Sequence, residues 1–442
     1  MTDWKEEYQK RFLSVEEAVR LVKSGDRVMI SRVWEPRSLS LALSRRKDEL
    51  RGVELFLGSS NPEYAWFQPG NEESFTVYLE MQTGMSGKMA AGRLAFDYIT
   101  SLYPLRFKRE DERGEGKGVD VFMVVVSPPD ANGFCSFGHI LLNKKDIAKR
   151  AKVVLAEVSD ALPIAVRTGG DNFIHVSQID GFVEHSHLAS EQTPLPQREE
   201  PTEHIRRIAE FISTLIRDGD TIEIGVGRTT ESLAQLGIFG ERQDLGLHSG
   251  MTFPGCMDLI KAGVFNGRRK SINPRKVTTS FLYEYDEESL AFVDGNPMFE
   301  MQGMEYMHDI RIISAHDNFV AINGILAIDL NGQMTSESIG SRLAGIAGGL
   351  PPFAIGAMLS NGGRTINVIS STAAEGTISR IMPTFEPGTM VTIPHTFADL
   401  VVSEYGIARL LGKSRRERIE ELIAIAHPDF RAELRREAQR LY

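Results

Sequence analysis

"DGDTIEIGVGRTTESLAQLG", residues 218–237, reads as the end of one helix, a short buried strand, a glycine turn and the start of another helix. Gly219-Asp220 punctuates, TIEI carries β-branched residues, and Gly225 and Gly227 mark the turn. The same order occurs earlier in "SGDRVMISRVWEPRSLSLAL", residues 24–43. At an offset of 194 residues, Gly25-Asp26 meets Gly219-Asp220, and Ser38-Leu39 meets Ser232-Leu233. Downstream, each copy enters a second strand, VELFLGSS (53–60) and DLGLHSG (244–250). A matched order of elements on top of matched residues points to duplication of an α/β half.

Working outward, further strand-like runs alternate with amphipathic stretches: DVFMVVV (120–126), KVVLAEV (152–158), NFVAINGILAIDL (318–330) and TINVIS (365–370). In EHIRRIAEFISTLIRDG (203–219), Ile205, Ile208, Ile212, Leu215 and Ile216 recur at helical spacing, and Gly219 is the expected C-cap. The segment 414–441 reads as helix that Pro428 breaks or restarts. This alternation predicts α/β sheets with helices on their faces. The expected organisation is an N-terminal domain over 1–193, a linker at 194–203 (PLPQREEPTE) and a C-terminal domain over 204–442.

A chain of 442 residues exceeds what one hydrophobic core serves, which agrees with two domains. Sixty acids against 50 bases give a net charge of −10, which argues against general nucleic-acid binding. The two cysteines, Cys135 and Cys256, cannot make a disulfide framework, and no metal-ligand spacing surrounds them. The first residues are polar, and the apolar run VFMVVV (121–126) is far too short to span a bilayer. The expectation is a soluble cytoplasmic protein with no metal, no nucleic-acid partner and no membrane.

Chemistry concentrates at turns. Gly225-Val226-Gly227 lies between a strand and a helix, where backbone amides can approach an anion or a developing oxyanion; a plain tight turn has the same pattern, and the third glycine of a dinucleotide fingerprint is absent. Gly345, Gly348 and Gly349 precede an apolar segment and suit either close ligand approach or a flexible loop. "SSTAAEGTISRIMP" (370–383) offers hydroxyls and Arg380 for a phosphate, or a solvated turn. His248 is a candidate base or a satisfied structural histidine, and Glu223 faces either a crevice or solvent. Gly250, at the end of DLGLHSG, is either a geometric glycine or the place of a missing group.

The chain resembles the acetyl-CoA hydrolase/transferase family, which includes 4-hydroxybutyrate CoA-transferases. The resemblance is carried by "VSPPDANGFCSFG" (126–138), "GGDNFIHVSQIDGFVE" (169–184), "DLGLHSGM" with "DLIKAGVFN" (244–266), "AINGILAIDLNGQMTSESIG" (321–340), "SSTAAEGTISRIMP" (370–383) and "VVSEYGIARLLGKSRRERIEELIAIAHPDF" (401–430). It implies two tandem, similar α/β domains of the CoA-transferase fold, a homodimer, and a site between the halves that moves CoA from a thioester to a carboxylate. In the family a glutamate attacks the acyl-CoA, and a glutamyl-CoA thioester follows. That glutamate falls in a segment like LGIHSEM, which here reads LGLHSGM, so its position is Gly250. A second departure turns the family's GGQxDF into Gly348-Gly349-Leu350-Pro351-Pro352-Phe353, which suggests a more apolar acyl pocket.

The resulting expectation is an acyl-CoA-utilising enzyme that works without the covalent glutamate, by hydrolysis, decarboxylation, carbon–carbon cleavage or direct CoA transfer. Amides of Val226 and Gly349 would polarise the thioester, with Glu223 and His248 as acid–base candidates. Gly227, Gly345, Gly348 and Arg380 would bind coenzyme A, present as the acyl-CoA substrate, with a small carboxylate as a possible acceptor. The alternatives are an ordinary CoA-transferase that uses another acid, such as Glu223, and a non-catalytic CoA-binding protein or inactive partner subunit.

Overall fold

The structure is a computed structural model and describes residues 4–58, 63–79, 96–98, 102–161, 166–184, 200–284 and 286–441. The chain divides into two compact units. One comprises Met1–Gln197 with Tyr285–Glu305, and the other Arg198–Glu284 with Tyr306–Tyr442. Most of the expected linker, 194–199, lies outside the described residues. The segment 285–305 belongs to the first unit, where Phe299–Met301 pairs in parallel with Gly169–Gly170.

The first unit is built on strands β1 (Arg27–Ile30), β2 (Val53–Leu57), β3 (Phe75–Leu79), β4 (Phe96–Tyr98), β5 (Val119–Val126), β6 (Ala151–Val158) and β7 (Gly181–Glu184). They pair in the order β7-β6-β5-β1-β2-β3-β4, all parallel. A parallel sheet needs cover on both faces, so its inner strands are apolar without alternation. Residues 121–126 are accordingly all 1% exposed or less. Val28, Leu55, Val121 and Leu155 share one core with Leu39 and Leu43 of helix α1 (Arg37–Arg45).

The second unit repeats the plan with β8 (Thr221–Ile224), β9 (Gly246–Ser249), β10 (Val277–Thr279), β11 (Phe319–Gly324), β12 (Arg364–Val368), β13 (Leu400–Ser403) and β14 (Gly406–Arg409). The order is β14-β13-β12-β11-β8-β9-β10, parallel except for the β13–β14 hairpin. In each unit the first strand of the repeat is central, with the second on one side.

The duplicated turn is closed by the same bonds in both copies. Gly25 and Gly219 have φ of +81° and +80°, a conformation that favours glycine. Their N–H groups donate to Arg51 O and Gln243 O, each at 2.9 Å. Asp26 and Asp220 each accept a backbone N–H at 2.7 Å, from Lys23 and Arg217.

Helix α2 (Glu203–Ser213) starts on Thr202, whose hydroxyl accepts the Ile205 N–H, and ends short of the expected Gly219. The Leu215 carbonyl is taken by the Arg364 guanidinium, which also pairs with buried Asp220. Gly219 therefore belongs to the strand-entry turn and does not cap the helix. Leu215 and Ile216 are buried outside the helix. The apolar run at 318–330 divides into β11 and Ala327–Asp329, because Leu326 N–H turns aside to Thr335 O. Helices α5 (Arg415–Ala424) and α6 (Pro428–Leu441) are separated at Pro428, and Ser414 with Glu417 forms a capping box on α5.

Candidate active site

Every sequence-selected site residue lies in the second unit; Val226, Gly227 and Gly250 follow the carboxyl ends of β8 and β9, where ligands of open α/β sheets bind, and Glu223 and His248 lie within those strands. After β8 the chain passes through Gly225-Val226-Gly227 into a single helical turn, α3 (Arg228–Glu231). Thr230 Oγ1 donates to Gly225 O at 2.6 Å and Gly227 O at 3.1 Å, which staples the turn. A β-carbon on Gly225 would fall 2.0 Å from Asn323 Oδ1, so only glycine fits there. Gly227 has extended backbone and serves as the N-cap residue of α3. Val226 projects outward with 68% exposure, and its amide enters no hydrogen bond with a described residue.

Glu223 is buried within β8, where Asn323 Nδ2 donates to its Oε2 at 2.7 Å. Burial pushes its carboxyl up to about 8, against the opposing pull of the Asn323 bond. At neutral pH this carboxyl holds its proton.

Gly250 follows β9 with no left-handed backbone angle. A β-carbon there would lie 3.4 Å from His308 Nε2, 3.5 Å from His308 Cε1 and 3.9 Å from Phe353 Cε2. Neither backbone conformation nor a clash of a β-carbon requires this glycine. Gly345 is different: a β-carbon on it would meet Ser336 O at 2.4 Å, and its N–H is spent on Glu337 O at 3.0 Å. It therefore has no amide to offer an oxyanion. Gly348 has φ +56°, and Gly349 is the N-cap of α4 (Leu350–Leu359). The Gly349 amide, like that of Val226, has no partner among the described residues.

His248 is fully buried in β9. Its Nε2 lies 3.0 Å from Met307 O, and its ring centroid stands 5.0 Å from that of His316. Burial, aided by His316 and Lys270, holds its imidazole well below the ordinary histidine range. It is a neutral structural group that fixes the carbonyl of Met307. The backbone of Arg380 bonds Ser371 and Ile328, and buried Glu404 acts on its half-buried guanidinium.

Two more residues complete the surroundings, His308, which the sequence did not single out, and Phe353, which it gave only as the end of the Gly348–Phe353 segment. His308 and Phe353 are the nearest side chains to both Gly250 and Gly349, with a β-carbon on Gly349 falling 2.9 Å from His308 Nε2. Their rings stand 4.9 Å apart. His308 arrives there because helix Ile310–Ser314 packs on α4, where Gly356 leaves room for Ile313. Lone residues such as these carry no sequence signal until the chain folds. Among the described residues no cluster of His, Cys, Asp and Glu is arranged for a metal ion, and no helix is long and apolar enough to cross a membrane.

Comparison with known proteins adds to this geometry. Residues 1–190 match the acetyl-CoA hydrolase/transferase N-terminal domain, and residues 286–438 the C-terminal domain of the same name. The turn at Gly250 lies between the two matched stretches. The chain is 36% identical over 444 residues to 4-hydroxybutyrate coenzyme A transferase of Clostridium kluyveri, covering 100% of both chains. It is 33% identical to succinyl-CoA:cyclohexane-1-carboxylate CoA transferase of Geobacter metallireducens, covering 99% of this chain and 97% of that one. The solved structure of RipA from Yersinia pestis is 29% identical, with a TM-score of 0.87 over 100% of this chain and 99% of that one.

Proposed function

This chain belongs to the acetyl-CoA hydrolase/transferase family, and we propose that it opens an acyl-CoA thioester without forming a covalent adduct at residue 250. The observation that carries this reading is the environment of Gly250: a position that admits a β-carbon in ordinary contact, next to an imidazole and a phenyl ring, with no side chain of its own to supply a carboxylate. The Val226 and Gly349 amides are the donors for the thioester oxygen, since each is unspent among the described residues. The attacking group is a small oxygen nucleophile, either water or a bound carboxylate, in the space that Gly250 leaves. Coenzyme A enters as part of the substrate. The relatives' names pair CoA thioesters with carboxylates, which supports a substrate of that class. A homodimer in the cytoplasm is part of the same proposal.

The reading in which Glu223 serves as replacement nucleophile is disfavoured, because a nucleophile must be ionised and Glu223 is kept protonated and bonded to Asn323. The test is incubation with a panel of acyl-CoAs, with and without carboxylate acceptors, followed by mass spectrometry of protein and products. Turnover with no CoA bound covalently to protein is the expected result. A glutamyl-CoA adduct on any residue overturns the reading.

A further inference from the structure

We propose that Thr230 is a positioning residue for the thioester oxygen: its buried hydroxyl holds the Gly225 carbonyl and thereby aims the Val226 N–H. This rests on the reading above in which the Val226 amide is a donor, and it names the side chain that orients that amide. Three observations carry it.

The first is connectivity. The carbonyl of Gly225 and the N–H of Val226 belong to one peptide unit, and in a planar trans unit they point in opposite directions. Thr230 Oγ1 donates to Gly225 O at 2.6 Å, and Thr230 is fully buried. The carbonyl is therefore drawn to the packed side of the turn, and the Val226 N–H is turned to the other side. That N–H has no partner among the described residues. Thr230 Oγ1 also lies 3.1 Å from Gly227 O. A hydroxyl has one proton, and the shorter contact takes it.

The second is the freedom that this bond removes. Gly225 N–H donates to Ile322 O at 2.9 Å, which fixes the peptide unit before Gly225. The unit after it is tied by Thr230. Glycine itself restrains that rotation little, and the Val226 side chain is too exposed for packing to restrain it. Without the hydroxyl the unit can turn and present a carbonyl oxygen where a donor is needed. A carbonyl there opposes the negative charge that develops on the thioester oxygen.

The third comes from the duplication. At the offset of 194 residues, Gly225 corresponds to Ser31 and Thr230 to Pro36. Ser31 N–H donates to Met123 O at 2.9 Å, the counterpart of the bond from Gly225 to Ile322. That bond is common to both copies and belongs to the fold. The hydroxyl is not: Pro36 has none, and the first copy turns instead through Val33 and Trp34, with φ of +48° and +54°. A strand-to-helix connection of this kind therefore forms without the staple. The staple is peculiar to the copy that carries the glycine turn.

The test uses the full-length protein and follows consumption of a panel of acyl-CoAs, butyryl-CoA and succinyl-CoA among them, with and without acetate. Thr230→Val keeps the shape and removes the hydroxyl, whereas Thr230→Ser keeps the hydroxyl. Thr230→Val is expected to lower kcat about 10- to 100-fold with KM changed less than about threefold, since the charge on oxygen develops only towards the transition state. Thr230→Ser is expected to stay within about threefold of the parent. Thermal unfolding reports whether both variants fold. Equal losses in the two variants show a packing effect, and an unchanged kcat in folded Thr230→Val shows an idle hydroxyl. Either result overturns the role of Thr230 and leaves the non-covalent reading standing. A rise in KM alone places the hydroxyl in substrate binding and also overturns it. A crystal of the parent with butyryl-dethia-CoA, whose ketone replaces the thioester, needs no variant. Val226 N within hydrogen-bond reach of the ketone oxygen, with Gly225 O still on Thr230, is expected. A Gly225 carbonyl turned towards the ketone overturns the proposal. A glutamyl-CoA adduct in the parent overturns the non-covalent reading alone, because the Val226 amide faces the same oxygen whichever group attacks.

Discussion

Asn323 holds two neighbours at once: its Nδ2 donates to Glu223 Oε2 at 2.7 Å, and its Oδ1 fills the space beside Gly225. One amide side chain therefore tempers the rise that burial imposes on a buried acid and shapes the turn that presents Val226.

Glu223 makes stability depend on pH. Its carboxyl rises from 4.5 to about 8 in the folded protein. Between those values the folded state keeps a proton that the unfolded chain releases, so stability falls as pH rises through that window. Glu223→Gln removes this slope. The expected result is a variant whose advantage in Tm over the parent widens from pH 5 to pH 8, bounded by ~1.4 kcal/mol per pH unit. A difference that stays constant with pH shows that Glu223 is ionised when folded.

The opposite slope comes from the buried histidines. Burial lowers the His316 imidazole from 6.5 to about 3, and His248 is lowered too. The unfolded chain protonates below 6.5 while these folded groups do not, so stability is lost as pH falls from 6.5 towards 3. Both ring nitrogens of His316 are buried with no hydrogen-bond partner among the described residues. His316→Leu is expected to keep more of its pH 7 stability at pH 4.5 than the parent does, read from urea midpoints at the two values. Equal losses in the two proteins would show that His316 takes up its proton in the fold.

Two glycines separate geometry from chemistry. Gly345→Ala drives a β-carbon to within 2.4 Å of Ser336 O and is expected to cost ~1–3 kcal/mol in chemical denaturation. Gly250→Ala meets its first neighbour at 3.4 Å and is expected to cost well under that. Gly250→Glu then places a carboxylate beside His308, and acyl–CoA transfer to a carboxylate, with a protein-bound CoA intermediate, is expected to appear or rise. Equal destabilisation by the two alanines would place Gly250 among the sterically required glycines.

Gly356 governs where His308 stands. A β-carbon on it would come 2.4 Å from Ile313 Cγ2, a branched side chain with little freedom to yield. Gly356→Ala is expected to lower stability by ~1–3 kcal/mol. It should also reduce thioester turnover more than KM, because helix Ile310–Ser314 carries the segment that begins at His308. Unchanged turnover in a destabilised variant would separate the packing of this helix from the chemistry.

The repeat was legible in the sequence because a Gly-Asp turn needs particular residue types: φ near +80° selects glycine, and the aspartate accepts a nearby amide in each copy. The apolar runs gave β1, β5 and β6 because inner strands of a parallel sheet are buried on both faces. Short strands such as β10 and β13 carried too few residues for a period to emerge. Gly250 could be read as a departure only against the family's pattern. His308 could not be read at all, and Phe353 only as the end of the Gly348–Phe353 segment, since the turn at 250, the segment at 308 and helix α4 meet only through tertiary packing.

The twin Gly-Asp turns have a bearing on how such a protein changes over generations. Each is locked by bonds drawn from its own neighbourhood, Arg51 and Lys23 for one, Gln243 and Arg217 for the other. A substitution at the tip of one sheet therefore leaves its counterpart's architecture intact. Each copy can therefore accept change at its own turn without cost to the other's.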